Sequence, residues 1–405
     1  MLKLFNTFGR KLQVFKTGKK KVATVFTCGP SVYQRAHIGN FRTFLFEDIL
    51  VRYLEFSGFR VDRGMAVTDI EDKAVWEAEK QKTTVKELTD RNISQFIAEM
   101  NLLRIKIPDY MPRASECVEE SVSIISRLMK KKIAYRHGGN IYFDPLRFRG
   151  FGKLFGLDMS RWPKEKRRFH KDTYPGIHWN YGDFILWHSC EISEKACWDT
   201  AIGKGRPAWN VQDPSMVMKH FDETLSVFCG GIDNLYRHHD YSLAILESVR
   251  PYPMARFWMH GAHLHVNGRK MSKSRGNIYY TDTLIRKGYT AREIRFFLIY
   301  SHYRRRLNYS DRAMRLAAQK LKDFRASVSS VRSRAGNARP AASQISEDLR
   351  ISFVSAMDSD MHVKDAFDNT QGIVSTVDLH ALSPSRAAGI IKTLREIDEV
   401  LRVIF

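Results

Sequence analysis

Two short stretches, far apart in the sequence, carry residues suited to holding phosphate. The first is His37-Ile38-Gly39-Asn40. His37 and Asn40 can donate hydrogen bonds to phosphate oxygens. Gly39, with no Cβ, lets a planar base or a phosphate come close to the backbone. The second is the basic loop Lys270-Met271-Ser272-Lys273-Ser274-Arg275-Gly276-Asn277, preceded by the turn pair Asn267-Gly268. Two lysines with serine between them can follow a polyphosphate. Each stretch alone has an ordinary reading. A strand, a turn and a helix with one histidine occur in many α/β proteins, and a lone basic loop is commonly solvated surface. Both together, in this order, are a much stronger signal.

The elements around them are those that would position such groups. Val22 to Cys28 is a β-branched and aromatic run that reads as a strand, stopped by Gly29-Pro30. Phe41, Phe44, Leu45, Ile49, Leu50, Tyr53 and Leu54 follow at helical spacing. His37 to Asn40 therefore sits where a strand hands over to a helix, whose N-terminal N–H groups and dipole suit a phosphate. Arg60 to Val67 reads as a second strand, so strand, helix and strand imply a parallel pair with a right-handed crossover. Thr68-Asp69 is expected to cap the next element at the carboxyl edge of the sheet, where ligands of open α/β sheets bind.

Helices are expected over 84–105 and 115–132, separated by Pro108 and Pro112. From Asn140 to about Trp198 the sequence is less regular and rich in aromatic, Gly and basic residues, Lys164 to Arg168 among them. Strands return near Leu225 to Phe228 and His263 to Val266, and Gly230-Gly231 reads by itself as a tight turn. From Asp282 the pattern is helical to the end. Ser327 to Ser346 reads as a loop or loose junction, and Asp348 to Val363 and Pro384 to Ile404 as helices closing a bundle.

Composition bounds the class. At 405 residues, 43% hydrophobic and 27% charged, the chain has room for two or three domains around a large core. No apolar run approaches the roughly 20 residues of a membrane span, and the N-terminus lacks a signal-peptide core. Five scattered cysteines argue against a disulfide framework and for a reducing cytoplasm. A net charge of +22 points to a polyanionic partner, nucleic acid first.

The paired motifs resemble the two ATP-binding motifs of class I aminoacyl-tRNA synthetases, and their surroundings resemble the cysteinyl-tRNA synthetase family. The likeness is carried by Cys28-Gly29-Pro30-Ser31-Val32-Tyr33, Val67 to Lys73, Gly205-Arg206-Pro207-Ala208-Trp209, Gly230-Gly231-Ile232-Asp233, His238-His239 and Arg295 to Leu298. It runs from Leu4 to Phe405. It implies an α/β fold: a Rossmann-like catalytic domain over 1–305, split by an insertion at about 108–200, followed by an α-helical bundle over 306–405. The small anticodon-reading domain usual in the family has no counterpart in the sequence. The implied activity is ATP-dependent activation of an amino acid, cysteine first, and transfer to the tRNA 3′ end. ATP with Mg²⁺, the amino acid and tRNA are the implied partners, and the chain is expected to act as a monomer, away from membranes. The runners-up are an amino-acid:amine ligase like those of mycothiol synthesis, and a paralogue that activates a different amino acid.

By the same resemblance, His37, Gly39, Asn40, Gly230, Gly231, Asp233, Lys270 and Lys273 hold ATP. Lys270 and Lys273 meet the charge that develops on departing pyrophosphate, and Asp233 takes ribose hydroxyls or the substrate ammonium. Cys28, Thr68, Trp209, Asp213 and His238 surround the amino acid. The family holds the cysteine thiolate on zinc with two Cys, a His and a Glu. Here the first Cys is Cys28 and the His is His238, but the second Cys position falls on Asp213 and the Glu position on Ser242. Cys28, Asp213 and His238 are legitimate zinc ligands with a position left open, and His239, Asp240 or Cys229 are the available substitutes. The other reading has no metal, with Cys28 a plain buried thiol and Asp213 binding a cationic group of the substrate.

Overall fold

The computed structural model describes residues 1–161, 182–190, 196–271 and 275–405. Lys164, Lys166, Arg167, Arg168 and Lys273, all singled out from the sequence, lie outside the described residues. The chain opens with a hairpin, β1 (Lys3–Asn6) and β2 (Lys11–Val14), and then enters β3 (Val22–Thr27). Helix α1 (Ile38–Phe56) carries it over to β4 (Arg60–Met65), which pairs parallel with β3. Helices α2 (Asp72–Lys80), α3 (Val85–Leu102) and α4 (Val118–Lys130) follow. Next comes an antiparallel sheet of β5 (Ala134–His137), β6 (Asn140–Phe143), β7 (Phe184–Ser189) and β8 (Gly205–Pro207). Helix α5 (Trp209–His220) leads back to the parallel sheet through β9 (Leu225–Gly231). The short α6 (Ile232–Asn234) and α7 (Asp240–Val249) precede β10 (Ala255–Gly261).

The parallel sheet has the order β10-β9-β3-β4. Successive crossovers from β3 run outward one way, to β4, and from β9 the other way, to β10. The switch point is therefore the gap between β3 and β9, where open α/β sheets form their ligand crevice. A small sheet of β11 (Leu264–Val266), β12 (Arg269–Lys270) and β13 (Leu307–Tyr309) presents the basic loop. The rest is helical: α8 (Thr281–Arg286), α9 (Ala291–Ile299), α10 (Asp311–Ala335), α11 (Gln344–Asp358), α12 (Val363–Ser375) and α13 (Pro384–Leu401).

Several expectations are corrected. β10 was not expected, although Phe257, Trp258 and Met259 are buried on its two faces; a strand buried on both faces gives no alternation to read. β13 interrupts the region expected to be wholly helical from Asp282, because Leu264–Val266 offers it a parallel partner. α10 continues to Ala335, through much of the stretch read as a loop, since Val328, Val331 and Ala335 keep its apolar stripe buried. Asp69 does not cap α2, whose N-cap is Glu71; its carboxylate accepts from the Ser115 amide at 2.9 Å and hydroxyl at 2.5 Å. Cys190 and Cys197 are joined by a disulfide with Cα atoms 6.1 Å apart, while Cys28, Cys117 and Cys229 are free thiols. The bridge of Trp198 to Gly205 brings that segment beside the end of β7. Among the described residues no helix is long and apolar enough to cross a membrane.

The catalytic sheet and the helical region are tied by a buried charge. Asp48 of α1 is fully buried and accepts from Arg295 Nη2 at 2.6 Å, Arg52 Nε at 2.9 Å and the Lys106 amide at 2.8 Å. Burial alone would raise its pKa, but Arg295 and Arg52 outweigh burial and hold it below the usual carboxylate value. Arg295, on α9, also donates to the carbonyls of Leu401 and Leu103 at 2.8 and 3.0 Å. Asp48→Ala strands a buried guanidinium, so it should cost about 3–5 kcal/mol. Urea unfolding measures this, and a loss under about 1 kcal/mol would show that the pair does not couple the two parts.

Candidate active site

At the carboxyl edge, between β3 and β9, lies a cavity of about 310 Å³. Cys28, Thr68, Trp209, Gly231, Asp233 and Asn40 all line it. The parallel register sets Thr27 beside Cys229, and the Cys28 amide donates to the Cys229 carbonyl at 3.0 Å. Cys28 is thereby fixed against Gly230 at the strand ends, and α1 starts from the same edge.

His37 does more local work than its sequence suggests. It is the N-cap of α1, and its Nδ1 accepts from the amides of Gly39 at 3.1 Å and Asn40 at 3.2 Å. Asn40 Oδ1 accepts in turn from the His37 amide at 3.0 Å, closing a capping box. Two of the helix N–H groups expected to face a phosphate are thus already taken. Burial lowers the pKa of His37, so the ring is neutral, and with Nδ1 accepting, its proton sits on Nε2. The donors that remain are His37 Nε2–H and the Asn40 amide NH₂.

Gly39 also serves a different neighbour than expected. A Cβ there would fall 2.4 Å from Met271 Cε, so the glycine makes room for the basic loop to lie on the helix start. The Ile38 amide donates to the Tyr279 carbonyl at 3.0 Å, a second tie between the two motifs. Lys270 ends β12 and is exposed, and its carbonyl accepts from Arg275 and Asn277 side chains, both at 3.3 Å. Of the basic group Arg304 to Arg306, Arg304 is committed: it donates to Asp360 at 2.9 and 2.7 Å and lies 4.0 Å over the Phe5 ring.

The far end of the cavity is a cluster of metal-type side chains. Ligand atoms of Cys28, Asp213, His238 and His239 all lie within 4.8 Å of one another. His238 Nε2 is 3.0 Å from Asp213 Oδ2 and 3.7 Å from Cys28 Sγ. Trp209 stacks on His238, ring centroids 3.8 Å apart, and Asn234 Nδ2 donates to Cys28 Sγ at 3.3 Å. Asp213 is held by α5, which is anchored where Gln212 donates to the Ile70 carbonyl at 2.6 Å and Asn210 to that of Ile185 at 3.0 Å. Burial, then the charge of Asp213, pushes the Cys28 thiol well above its ordinary pKa. A thiolate at this position needs a cation beside it.

His238 and His239 are adjacent in sequence, and neighbouring residues of a regular helix do not face one point. Here the chain makes a wide π-type turn over Leu235–His239, with Arg237 in the left-handed region at φ +72°. That distortion lets two consecutive imidazoles converge. Gly230-Gly231 is not a tight turn: β9 runs through both residues and straight into α6. A Cβ on Gly230 would meet His239 Cε1 at 2.6 Å. Ser242, which stands at the Glu position, donates its hydroxyl to the His238 carbonyl at 2.9 Å and is turned away from the cluster.

Residues 14–319 match the family model of the tRNA synthetases class I (C) catalytic domain. The chain is similar to a cysteine–tRNA ligase of Chlamydia pneumoniae, at 34% identity over all of this chain and 86% of that protein. It is similar to another of Protochlamydia amoebophila at 32%, again over all of this chain and 86% of the relative. Among solved structures, a Mycobacterium tuberculosis methionyl-tRNA synthetase with methionyl-adenylate matches 95% of this chain and 90% of its own (TM-score 0.64, 16% identity). A LeuRS–tRNA–LeuAMS complex of Agrobacterium radiobacter K84 matches 96% of this chain and 85% of its own (TM-score 0.65, 12% identity).

The fit of the His239 ring over Gly230 gives a direct test. Gly230→Ala overpacks a closed site and should cost about 1–3 kcal/mol in unfolding free energy. Gly372→Ala, on α12 with nothing within 4 Å of the new methyl, is the control and should stabilise by about 1 kcal/mol. Equal behaviour of the two variants would mean that the His239 ring yields freely.

Proposed function

The chain belongs to the cysteinyl-tRNA synthetase family of class I synthetases, and from that premise we propose that it activates cysteine with ATP and passes it to the tRNA 3′ end. One observation carries this reading: a single cavity joins the phosphate end, at Asn40 and α1, to the thiol end, at Cys28 and Trp209. A substrate spanning it has its carboxylate between the two, beside the α-phosphate.

In activation, the cysteine carboxylate attacks the α-phosphorus, the α–β bridging bond breaks, and pyrophosphate leaves as cysteinyl-adenylate forms. His37 Nε2–H and the Asn40 NH₂ donate to phosphate oxygens. Lys270, with Lys273 on the same loop, meets the charge on departing pyrophosphate. Met271, packed against Gly39, holds the start of that loop on the beginning of α1. Asp233 takes ribose hydroxyls or the substrate ammonium at the Gly230-Gly231 edge. Mg²⁺ accompanies the triphosphate. In transfer, a tRNA 3′-terminal hydroxyl attacks the acyl carbon and AMP leaves. The division of labour we propose is a catalytic unit over 1–305 with an insertion at about 108–200, and a bundle over 306–405. We also propose that it works in the cytoplasm, a reading supported by the relatives' activity and not by the cysteines, two of which are bridged.

The residues present fit zinc. Cys28, Asp213 and His238 are two anions and an imidazole, and their spacing leaves a shared centre beside the cavity. When bound there, zinc would hold and ionise the side-chain thiol of the substrate. Trp209 stacks on His238 and keeps that ring in place at the thiol end.

ATP–pyrophosphate exchange across all twenty amino acids tests the activity and its substrate at once, with cysteine expected to drive exchange. Lys273→Ala should lower that exchange by about 10²–10³, as for other lost transition-state donors. Exchange within about threefold of wild type would remove the lysine from the mechanism. His37→Asn separates cap from donor: asparagine caps as well as any residue, so stability should hold while exchange falls by a similar factor.

The nucleic-acid partner has its own signature. Each phosphate neutralised adds about 0.7–0.9 to the slope of log affinity against log salt. With a net charge of +22, tRNA binding should weaken steeply between low and moderate salt. Arg305 and Arg306, exposed at the entry to the helical region, contribute, and Arg304, bound to Asp360, does not. A titration flat in salt would reject the tRNA and favour a small amine acceptor.

A further inference from the structure

We infer that His239 supplies the metal ligand that Ser242 cannot, and that His260 and Thr7 fix it in place. The inference rests on the metal reading above and names the full donor set as Cys28, Asp213, His238 and His239. Ligand atoms of the four lie within 4.8 Å of one another. With zinc bonds of about 2.0–2.3 Å, a tetrahedral site has donor atoms roughly 3.3–3.7 Å apart. The gaps of 3.0 and 3.7 Å at His238 are close to this, and separations of up to 4.8 Å within the set close by about 1 Å when the metal draws the four donors together.

The three substitutes left open by the sequence are now distinguishable. The Asp240 carboxylate accepts from the amides of Leu154 and Phe155 at 3.3 and 2.9 Å, so it braces the insertion. Cys229 is fully buried in the apolar core. His239 alone of the three stands in the cluster. It is fully buried, and its Nε2 has no hydrogen-bond partner among the described residues. Its Nδ1 is 2.8 Å from His260 Nε2, and His260 Nδ1 is 2.9 Å from Thr7 Oγ1.

That chain can hold its protons in two orders. In one, His239 Nδ1–H donates to His260, His260 Nδ1–H donates to Thr7, and His239 Nε2 presents a lone pair. In the other every proton is reversed, and Nε2–H is buried with no acceptor among the described residues. Metal binding selects the first order. A ligating histidine nearly always donates its other N–H in this way. His238 has no such support: its Nδ1 is buried without a partner. His239 is therefore the better-oriented imidazole of the two, and the hairpin that carries Thr7 becomes a positioning element of the site. His260 and Thr7 are positioning residues, since they act only through His239.

The set also changes the charge of the centre. Two anions against Zn²⁺ leave it neutral, whereas two Cys and a Glu would leave it at −1. A substrate thiolate would join such a centre as a fifth ligand, and a neutral centre opposes its charge less than one at −1.

Zinc affinity, measured by chelator competition on the full chain, and X-ray absorption at the zinc edge test this together. Wild-type protein should show two imidazoles. His239→Gln, which keeps a polar group in the buried place, should show one and bind zinc at least about 10²-fold more weakly. His260→Ala should keep two imidazoles and lose about 10–100-fold in affinity, partly restored in His260→Gln. Circular dichroism of the metal-free proteins checks that the variants fold. Zinc in wild type with one imidazole, or unchanged affinity in His239→Gln, overturns this assignment and leaves the Cys28–Asp213–His238 reading standing. No zinc in wild type after metal supplementation overturns both.

Discussion

The register of β3 against β9 is the constraint from which the site follows. Val25, Phe26 and Thr27 sit beside Val227, Phe228 and Cys229 in a parallel ladder. Both strands are buried on both faces, so a slip of one residue would move Phe26 and Phe228 into the opposite layer and break the close packing on both sides at once. The register therefore cannot drift, and it places residues some 200 positions apart at one edge. From β3 the chain delivers Cys28 and then the start of α1. From β9 it delivers Gly230, Asp233 and the two histidines. Because the crossovers from these strands diverge, nothing of the fold itself fills the gap between them. Charge then holds this sheet to the helices beyond it, through Asp48 and Arg295.

Local devices finish what the register begins. α1 is capped by a histidine, an uncommon choice, and the cap explains the residue type better than phosphate contact alone. Only a ring can accept two helix amides through one nitrogen and still present a second nitrogen outward. Asparagine at position 40 likewise spends its oxygen on the His37 amide and keeps its NH₂ for a ligand. The motif is thus both a helix start and a pair of donors, one set of side chains serving both roles. The same economy appears at Gly39 and Gly230. Each glycine gives its missing Cβ to a neighbouring side chain, Met271 in one case and His239 in the other.

Much of this was legible in the sequence, and the gaps have physical causes. β3, α1 and β4 were plain because their apolar runs are long and periodic and because Gly29-Pro30 marks the break. The meeting of Cys28, Asp213 and His238 followed from the family resemblance, not from spacing. What the sequence hid were features set by tertiary contact. β10 and β13 exist because partner strands wait for them. The end of α10 is helical because a buried stripe outweighs its Ser and Arg content. The disulfide depends on Ser189 and Trp198 both lying beside Gly205, an approach no spacing predicts. The convergence of His238 and His239 depends on a π-type turn and on one left-handed arginine, for which the local residues give no signal.

The altered donor set shows how a site can keep its place while changing its ligands. Losing a thiolate and a carboxylate from one cluster would ordinarily empty it, since each remaining donor binds more weakly alone. Here Asp213 occupies the second cysteine's place with a harder oxygen, and a side chain one residue from His238 turns inward instead of one four residues away. The second change is possible only because the backbone widens between Leu235 and His239. A regular helix would aim position 242 at the cluster and position 239 away from it. Ser242, released from that duty, satisfies its hydroxyl on the His238 carbonyl and so holds the very turn that brings His239 in. Burial keeps both supporting rings neutral: His239 is pushed well below its ordinary pKa by desolvation and then by its histidine neighbours, and His260 to about 3 by burial. Neutral imidazoles at the end of a hydrogen-bonded chain are the state a cation requires.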